Sequence, residues 1–207
     1  MAAASALPPG GQTVAVADEI ARTAPVIAAL RAAGVTAKIS IDTRKAPVAR
    51  AALQAGADIV NDVAALTFDP ALGPLVAETQ APVVLMHHLG TPETMQADPR
   101  YDDVLLDVYD WLAESVASAE RLGIPRNRIT VDPGIGFGKT PELNWQLLEF
   151  ARLVPEYQVM IGYSRKRFLG EQRMELAPNL AAGKIAIAAG AAYLRVHDVA
   201  GHQQLLY

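Results

Sequence analysis

The sequence predicts an α/β fold built on a parallel sheet, and three observations carry that prediction. Strand-like apolar stretches alternate with helical ones six times along the 207 residues, and parallel neighbours need crossovers of about a dozen residues or more, which such helices supply. Hydrophobic residues make up 51% of the chain and charged ones 19%, ample apolar surface for a folded core. The predicted strands end in polar or charged groups at their C-terminal edge, where ligands bind both in an eight-stranded barrel and at the switch point of an open sheet.

The elements follow in order. Val16, Ile20, Val26, Ile27 and Leu30 recur at helical spacing and predict a helix over 13–33, stopped by Gly34. A strand over 37–43 leads to a helix over 47–55, with Pro47 in its first turn and Gly56 at its end. The unit then repeats: strand 58–63 with helix 70–78, strand 82–88 with helix 102–122, and strand 129–132 with helix 142–153. Strand 158–164 with helix 179–189 and strand 192–197 with a short tail complete the series.

Length and composition place the whole chain, 1–207, in a single domain, with 1–12 as a disordered or non-native lead. Net charge −4 and a pI near 5.5 are poor footing for binding nucleic acid, so any anion site must be local. The absence of cysteine excludes disulfides, a thiolate nucleophile and Cys-held metal, and suits a cytoplasmic protein. The N-terminus lacks the basic and apolar regions of a secretion signal. The most apolar stretch, 180–194, is broken by Gly183, Lys184 and Gly190, short of a membrane span of about 18 residues. It reads as a buried helix running into a strand.

The strand ends present Asp42-Thr43, Asn61-Asp62, His87-His88, Asp132, Ser164-Arg165-Lys166 and Arg195 to Asp198. The stretch from Val131 to Lys139 delivers one carboxylate and then three glycines, which permit close backbone approach to a ligand. Such a carboxylate can accept two parallel hydrogen bonds from an aminopyrimidinone edge, as in a pterin or guanine. The glycine spacing is not that of a P-loop. Gly162 to Arg167 offers a hydroxyl and three cations, a clamp for an anion and a heterocycle. The two-residue strand period puts Arg195 and His197 on one face, where they can bind diphosphate. His87 and His88, adjacent on a strand, face opposite ways and make no zinc site, and His202 belongs at the surface.

Together these segments resemble one family, dihydropteroate synthase. Its matches are 40–43, 57–62, 85–87 with 90–96, 131–139, 164–168 and 195–198, in order along the chain. The resemblance implies a TIM (β/α)8-barrel type of fold, here truncated to about six βα units. It implies condensation of 6-hydroxymethyl-7,8-dihydropterin diphosphate with p-aminobenzoate, releasing diphosphate with Mg2+. By motif, Asp42, Asn61, Asp132, Lys166 and Arg195 hold the pterin. Phe137, Ser164 and Lys166 border the aminobenzoate, and Arg195 and His197 hold the diphosphate. Catalysis then rests on Arg195, His197 and Lys166 through electrostatics and positioning, without a nucleophilic side chain.

The family's first two strands and their loops have no counterpart here. They include the asparagine credited with the metal, the covering loop, and the Thr-Arg that meets aminobenzoate. The expectation is a chain that binds the pterin diphosphate but forms little or no dihydropteroate. The alternatives are a non-catalytic pterin-binding remnant and a methyltetrahydrofolate methyltransferase-like protein. Ser164 to Arg167 and Arg195-Val-His197 argue against the latter, because a methyl donor carries no diphosphate. The partners implied are small molecules, with no nucleic acid and no membrane, and a homodimer is left open.

Overall fold

The structure, a computed structural model, describes residues 14–90 and 99–206. The expected lead over 1–12 and most of the 90–96 motif fall outside the described residues. The chain forms two compact units, Met1–Met86 with Glu114–Ile129, and His87–Ala113 with Thr130–Tyr207.

In the first unit, helix α1 (Val16–Ala32) precedes strand β1 (Ser40–Asp42) and helix α2 (Ala46–Gln54). Strand β2 (Ile59–Asp62), helix α3 (Leu72–Thr79) and strand β3 (Val83–Met86) follow. Gly34, at φ +80°, ends α1: its N–H meets Arg31 O at 3.0 Å while Val35 N–H returns to Leu30 O at 3.1 Å. The three strands pair in parallel, with Ile41 opposite Val60 and Val60 opposite Val83. Ile41, Val60 and Val83 are at most 1% exposed and share one face of the sheet. Asp42 and Asn61 are cross-strand partners and share the opposite face. A buried ion pair, Lys45 Nζ to Glu19 at 3.2 Å, fastens α2 to α1.

Helix α4 (Val104–Arg121) leads through a 3-10 turn (Arg126–Arg128) to strand β4 (Ile129–Asp132). The second unit continues with helix α5 (Pro141–Leu147), strand β5 (Gln158–Ile161), helix α6 (Leu176–Ala188), strand β6 (Tyr193–Leu194) and helix α7 (Val199–His202). β4 pairs in parallel with β5, and β5 with β6. Its core is apolar and closed, with Val131, Phe150, Ile161 and Ala186 at most 1% exposed.

The alternation of six strands with helices stands as expected, but four local readings need correction. β5 and β6 end at Ile161 and Leu194, short of the expected 164 and 197, because the chain turns into loops at Gly162 and past Arg195. The predicted helix over 142–153 breaks into α5 and a separate 3-10 turn (Phe150–Arg152). His87 and His88 lie beyond β3, not on it. His202 is buried at 6% exposure rather than at the surface, its Nδ1 donating to Asp198 O at 2.6 Å one turn earlier. Among the described residues no helix is long and apolar enough to cross a membrane.

Candidate functional site

In the first unit, β1 and β2 deliver Asp42 and Asn61 side by side, both buried. Asn61 Oδ1 has no hydrogen-bond partner among the described residues, and a buried polar atom left so is costly. It can therefore accept a further hydrogen bond. Asp62, on the other face, is structural: it accepts the N–H groups of Ala64 at 2.9 Å and Leu66 at 2.6 Å. Burial outweighs those bonds and pushes its carboxyl up to about 6.

In the second unit the predicted residues gather around two loops. The first follows β4. Asp132, 2% exposed, uses Oδ1 to accept Gly134 N–H at 2.8 Å, which bends the chain back over its own strand end. Gly134, Gly136 and Gly138 all take positive φ, so the three glycines are the backbone's requirement. Phe137 N–H closes a turn on Gly134 O at 3.0 Å and leaves the Phe137 ring half-buried. Asn144, buried on α5, accepts Gly136 N–H at 2.7 Å and donates to Thr140 O at 2.8 Å and Lys139 O at 3.3 Å. Lys139 Nζ meets Phe137 O at 2.8 Å and His87 Nδ1 at 2.9 Å. An ammonium only donates, so His87 accepts at Nδ1 and carries its proton on Nε2. Burial and the neighbouring lysine hold His87 far below the usual imidazole range, while burial pulls Lys139 down to about 7.

The second loop follows β5. Ser164, 6% exposed, accepts His197 N–H at 3.3 Å and lies 3.1 Å from His197 Nδ1. With that N–H already donated to its oxygen, the hydroxyl can give its own proton to the ring nitrogen. Lys166 bends back to the glycine loop, where Nζ donates to Ile135 O and stands 4.9 Å from the Phe137 ring centroid. A Cβ at Gly136 would come within 3.1 Å of Lys166 Cδ, so the missing side chain makes room for the lysine stem. Desolvation lowers Lys166 to about 8, partly offset by Asp132 and reinforced by Arg195. Trp145 of α5 meets Phe168 edge-on at 5.2 Å and packs the two loops' supports together.

Arg195 N–H extends the β5–β6 ladder to Ile161 O at 3.0 Å. A Cβ on Gly162 would lie 3.2 Å from Arg195 Nε and 3.7 Å from Asp132 Oδ2. The bare backbone of Gly162 thus lets a guanidinium and a carboxylate flank one spot above the strand. The expected sharing of a strand face by Arg195 and His197 does not hold, since both follow the end of β6. His197 is exposed and is placed instead by Ser164. Burial first, then Arg165, Arg195 and Lys166, lower its pKa, which favours the neutral imidazole. Arg165 and Arg167, counted in the sequence as part of the cation clamp, are exposed.

Sequence reasoning missed Asn144, Asn179, the His87–Lys139 pair and the spatial role of Gly162. The signal for Asn179 was there: a lone amide in the apolar run of α6.

Among the described residues no three or more His, Cys, Asp or Glu side chains form a group able to hold a metal. Arg195 and His197 supply nitrogen donors rather than the oxygens that magnesium takes.

A family model described as pterin binding enzyme matches residues 3–197. The chain is 41% identical over 208 residues to a dihydropteroate synthase of Synechocystis sp., covering 95% of this chain and 71% of that one. It is 46% identical over 199 residues to a probable bifunctional folylpolyglutamate synthase/dihydropteroate synthase of Haloferax volcanii, covering 92% of this chain but only 23% of that longer protein. Among solved structures, a Yersinia pestis dihydropteroate synthase with a sulfonamide drug complex superposes with TM-score 0.93 at 33% identity, covering 99% of this chain and 76% of that one. A Xanthomonas albilineans dihydropteroate synthase in complex with 7,8-dihydropteroate gives 0.84 at 41% identity, covering 95% and 76%. The fold class is α/β of the TIM-barrel type, with six βα units among the described residues.

Proposed function

The chain belongs to the dihydropteroate synthase family of pterin-binding enzymes, and we propose that its second unit binds 6-hydroxymethyl-7,8-dihydropterin diphosphate and joins it to p-aminobenzoate. The observation that carries this reading is the placing of Asp132, Lys166 and Arg195 around the bare backbones of Gly136 and Gly162. Together they offer a planar ring a carboxylate for its amidine-like edge and two cations beside it.

Asp132 keeps Oδ1 for its own loop and offers Oδ2 to the ring's donors. Lys166 donates to a ring acceptor and balances the charge of Asp132. Arg195 stacks on the pterin and, with His197, takes the diphosphate. Ser164 and Phe137 border the aminobenzoate. In the reaction the exocyclic C–O bond breaks with its electrons leaving on the diphosphate, the aniline nitrogen forms the new C–N bond, and that nitrogen loses a proton. The cations stabilise the departing charge in a partly desolvated setting, and the fixed loops supply positioning. Asp42 and Asn61 of the first unit are proposed as hydrogen-bond partners for a pterin edge. A cytoplasmic location agrees with the cysteine-free composition.

The test is a mass-spectrometric assay for dihydropteroate in a mixture of the chain, the dihydropterin diphosphate and p-aminobenzoate. Pterin diphosphate binding with at most slow formation of dihydropteroate, and of diphosphate in equal amount, is expected. Pterin binding without any product would reduce the protein to a pterin-binding module.

A further inference from the structure

The turn that carries Ser164 and Lys166 contains a conformational anomaly. Arg165, between them, takes φ +60°, a left-handed conformation unfavourable for a residue with a Cβ. Arg165 is itself exposed, so no packing of its side chain explains this. Its backbone N–H, however, donates at 2.9 Å to Oδ1 of Asn179, which is 3% exposed and lies in α6. The other end of that amide donates to Arg173 O at 2.8 Å and Glu175 O at 2.6 Å, at the entry to α6. Asn179 is thus bonded on both sides and fixed with respect to its helix.

Left-handed backbone at 165 has a consequence for its neighbours. It reverses the chain within one residue, so that Ser164 faces His197 while Lys166 N–H closes on Tyr163 O at 3.2 Å and its side chain runs to Ile135 O. An ordinary backbone at 165 would send one of the two away. We propose that Asn179 is a positioning residue: it holds Arg165 in the left-handed state and thereby sets Ser164 and Lys166 for the aminobenzoate and the pterin diphosphate. The inference deepens the substrate reading above and rests on it for the identity of the ligands, but not for the geometry. Asn144 treats the glycine loop in the same way, taking Gly136 N–H at 2.7 Å, except that a glycine there needs no holding against strain.

The test combines Asn179→Ala with Arg165→Gly. Glycine adopts the left-handed state without penalty, so it should make the pin dispensable. Asn179→Ala is expected to weaken dihydropterin diphosphate binding about tenfold, the worth of one buried hydrogen bond. In the Arg165→Gly background the same change should cost under about twofold. A second readout needs no substrate: the NMR titration of His197, assigned with His197→Gln. The groups facing His197 are the Ser164 hydroxyl and the cations Arg165, Arg195 and Lys166. Its pKa should rise in Asn179→Ala as the turn relaxes, with no further change when Asn179→Ala is added to Arg165→Gly. If Asn179→Ala lowers the melting temperature equally in both backgrounds and leaves the His197 titration in place, Asn179 merely caps α6 and the proposal falls. If wild-type chain binds no pterin diphosphate, the substrate reading falls instead, and the His197 titration still decides the role of Asn179.

Discussion

The glycine loop after β4 and the Ser164–Lys166 turn after β5 solve one problem by opposite means. Each must reverse the chain at a strand end while aiming side chains at a small ligand. The first uses Gly134, Gly136 and Gly138, residues for which positive φ is unstrained. The second places Arg165 at φ +60° and holds it there from outside through Asn179. What differs is where the conformation is encoded: within the loop in one case, and fourteen residues later in the other. The unstrained loop also makes room, since Lys166 passes over Gly136, so the two solutions interlock.

Removing the group that joins the loops should have the largest effect. Lys166→Met is expected to weaken dihydropterin diphosphate binding about ten- to a hundredfold, the worth of a charged hydrogen bond. In the wild type the lysine gives up its proton near pH 8. The protonated form binds the anion, so affinity should fall as pH rises through that value, and calorimetry should find the dependence missing in the methionine variant.

Adding one methyl to the unstrained loop comes next. Gly136→Ala meets both a backbone at φ +84° and Lys166 Cδ at 3.1 Å. A loss of about 1–2 kcal/mol in denaturant unfolding is expected. An unchanged stability would show that the glycine loop has more freedom than its conformation indicates.

Lys139 reports on the same loop through pH. Its folded pKa near 7 lies below the 10.5 of the unfolded chain, so the unfolded state binds the extra proton between those values. Stability should therefore rise with pH above 7, by about 1 kcal/mol between pH 7 and 8 from this group. Lys139→Met should lose that increment. The same slope in both proteins would remove Lys139 as its source.

The smallest effect belongs to the strained turn. In Arg165→Gly, relief of left-handed strain is offset by the greater freedom of glycine in the unfolded chain. The stability should stay within about 1 kcal/mol of wild type. A large loss would mean that the Arg165 side chain, not its backbone, holds the turn.

The alternation of elements was legible because apolar periodicity and glycine stops are local properties, as at Gly34. The placing of Asp132 and Lys166 at the loops after β4 and β5 was legible because those loops carry dense, chemically unusual residues. The exact strand ends were not: β6 has only Tyr193 and Leu194, and no local pattern separates Arg195 from the strand. Nor was the role of His87, read as one of two adjacent strand histidines, because its partner Lys139 lies 52 residues away. His202 was misplaced for a similar reason, since its burial depends on how α7 packs against Tyr163, 5.9 Å away between rings. Long-range hydrogen bonds leave no periodicity, and only the fold brings their ends together.

The central claim, that Asp132 anchors a pterin in the second unit, is tested most directly by titrating wild-type chain and Asp132→Asn with 6-hydroxymethyl-7,8-dihydropterin diphosphate. The asparagine carbonyl can keep the 2.8 Å bond to Gly134 N–H, which turns its amine toward the ring where Oδ2 stood. A donor then faces a donor. The account predicts one site in the wild type and an affinity about ten- to a hundredfold weaker in the variant, with the fold intact. Equal affinities, or no binding to the wild type, would contradict it.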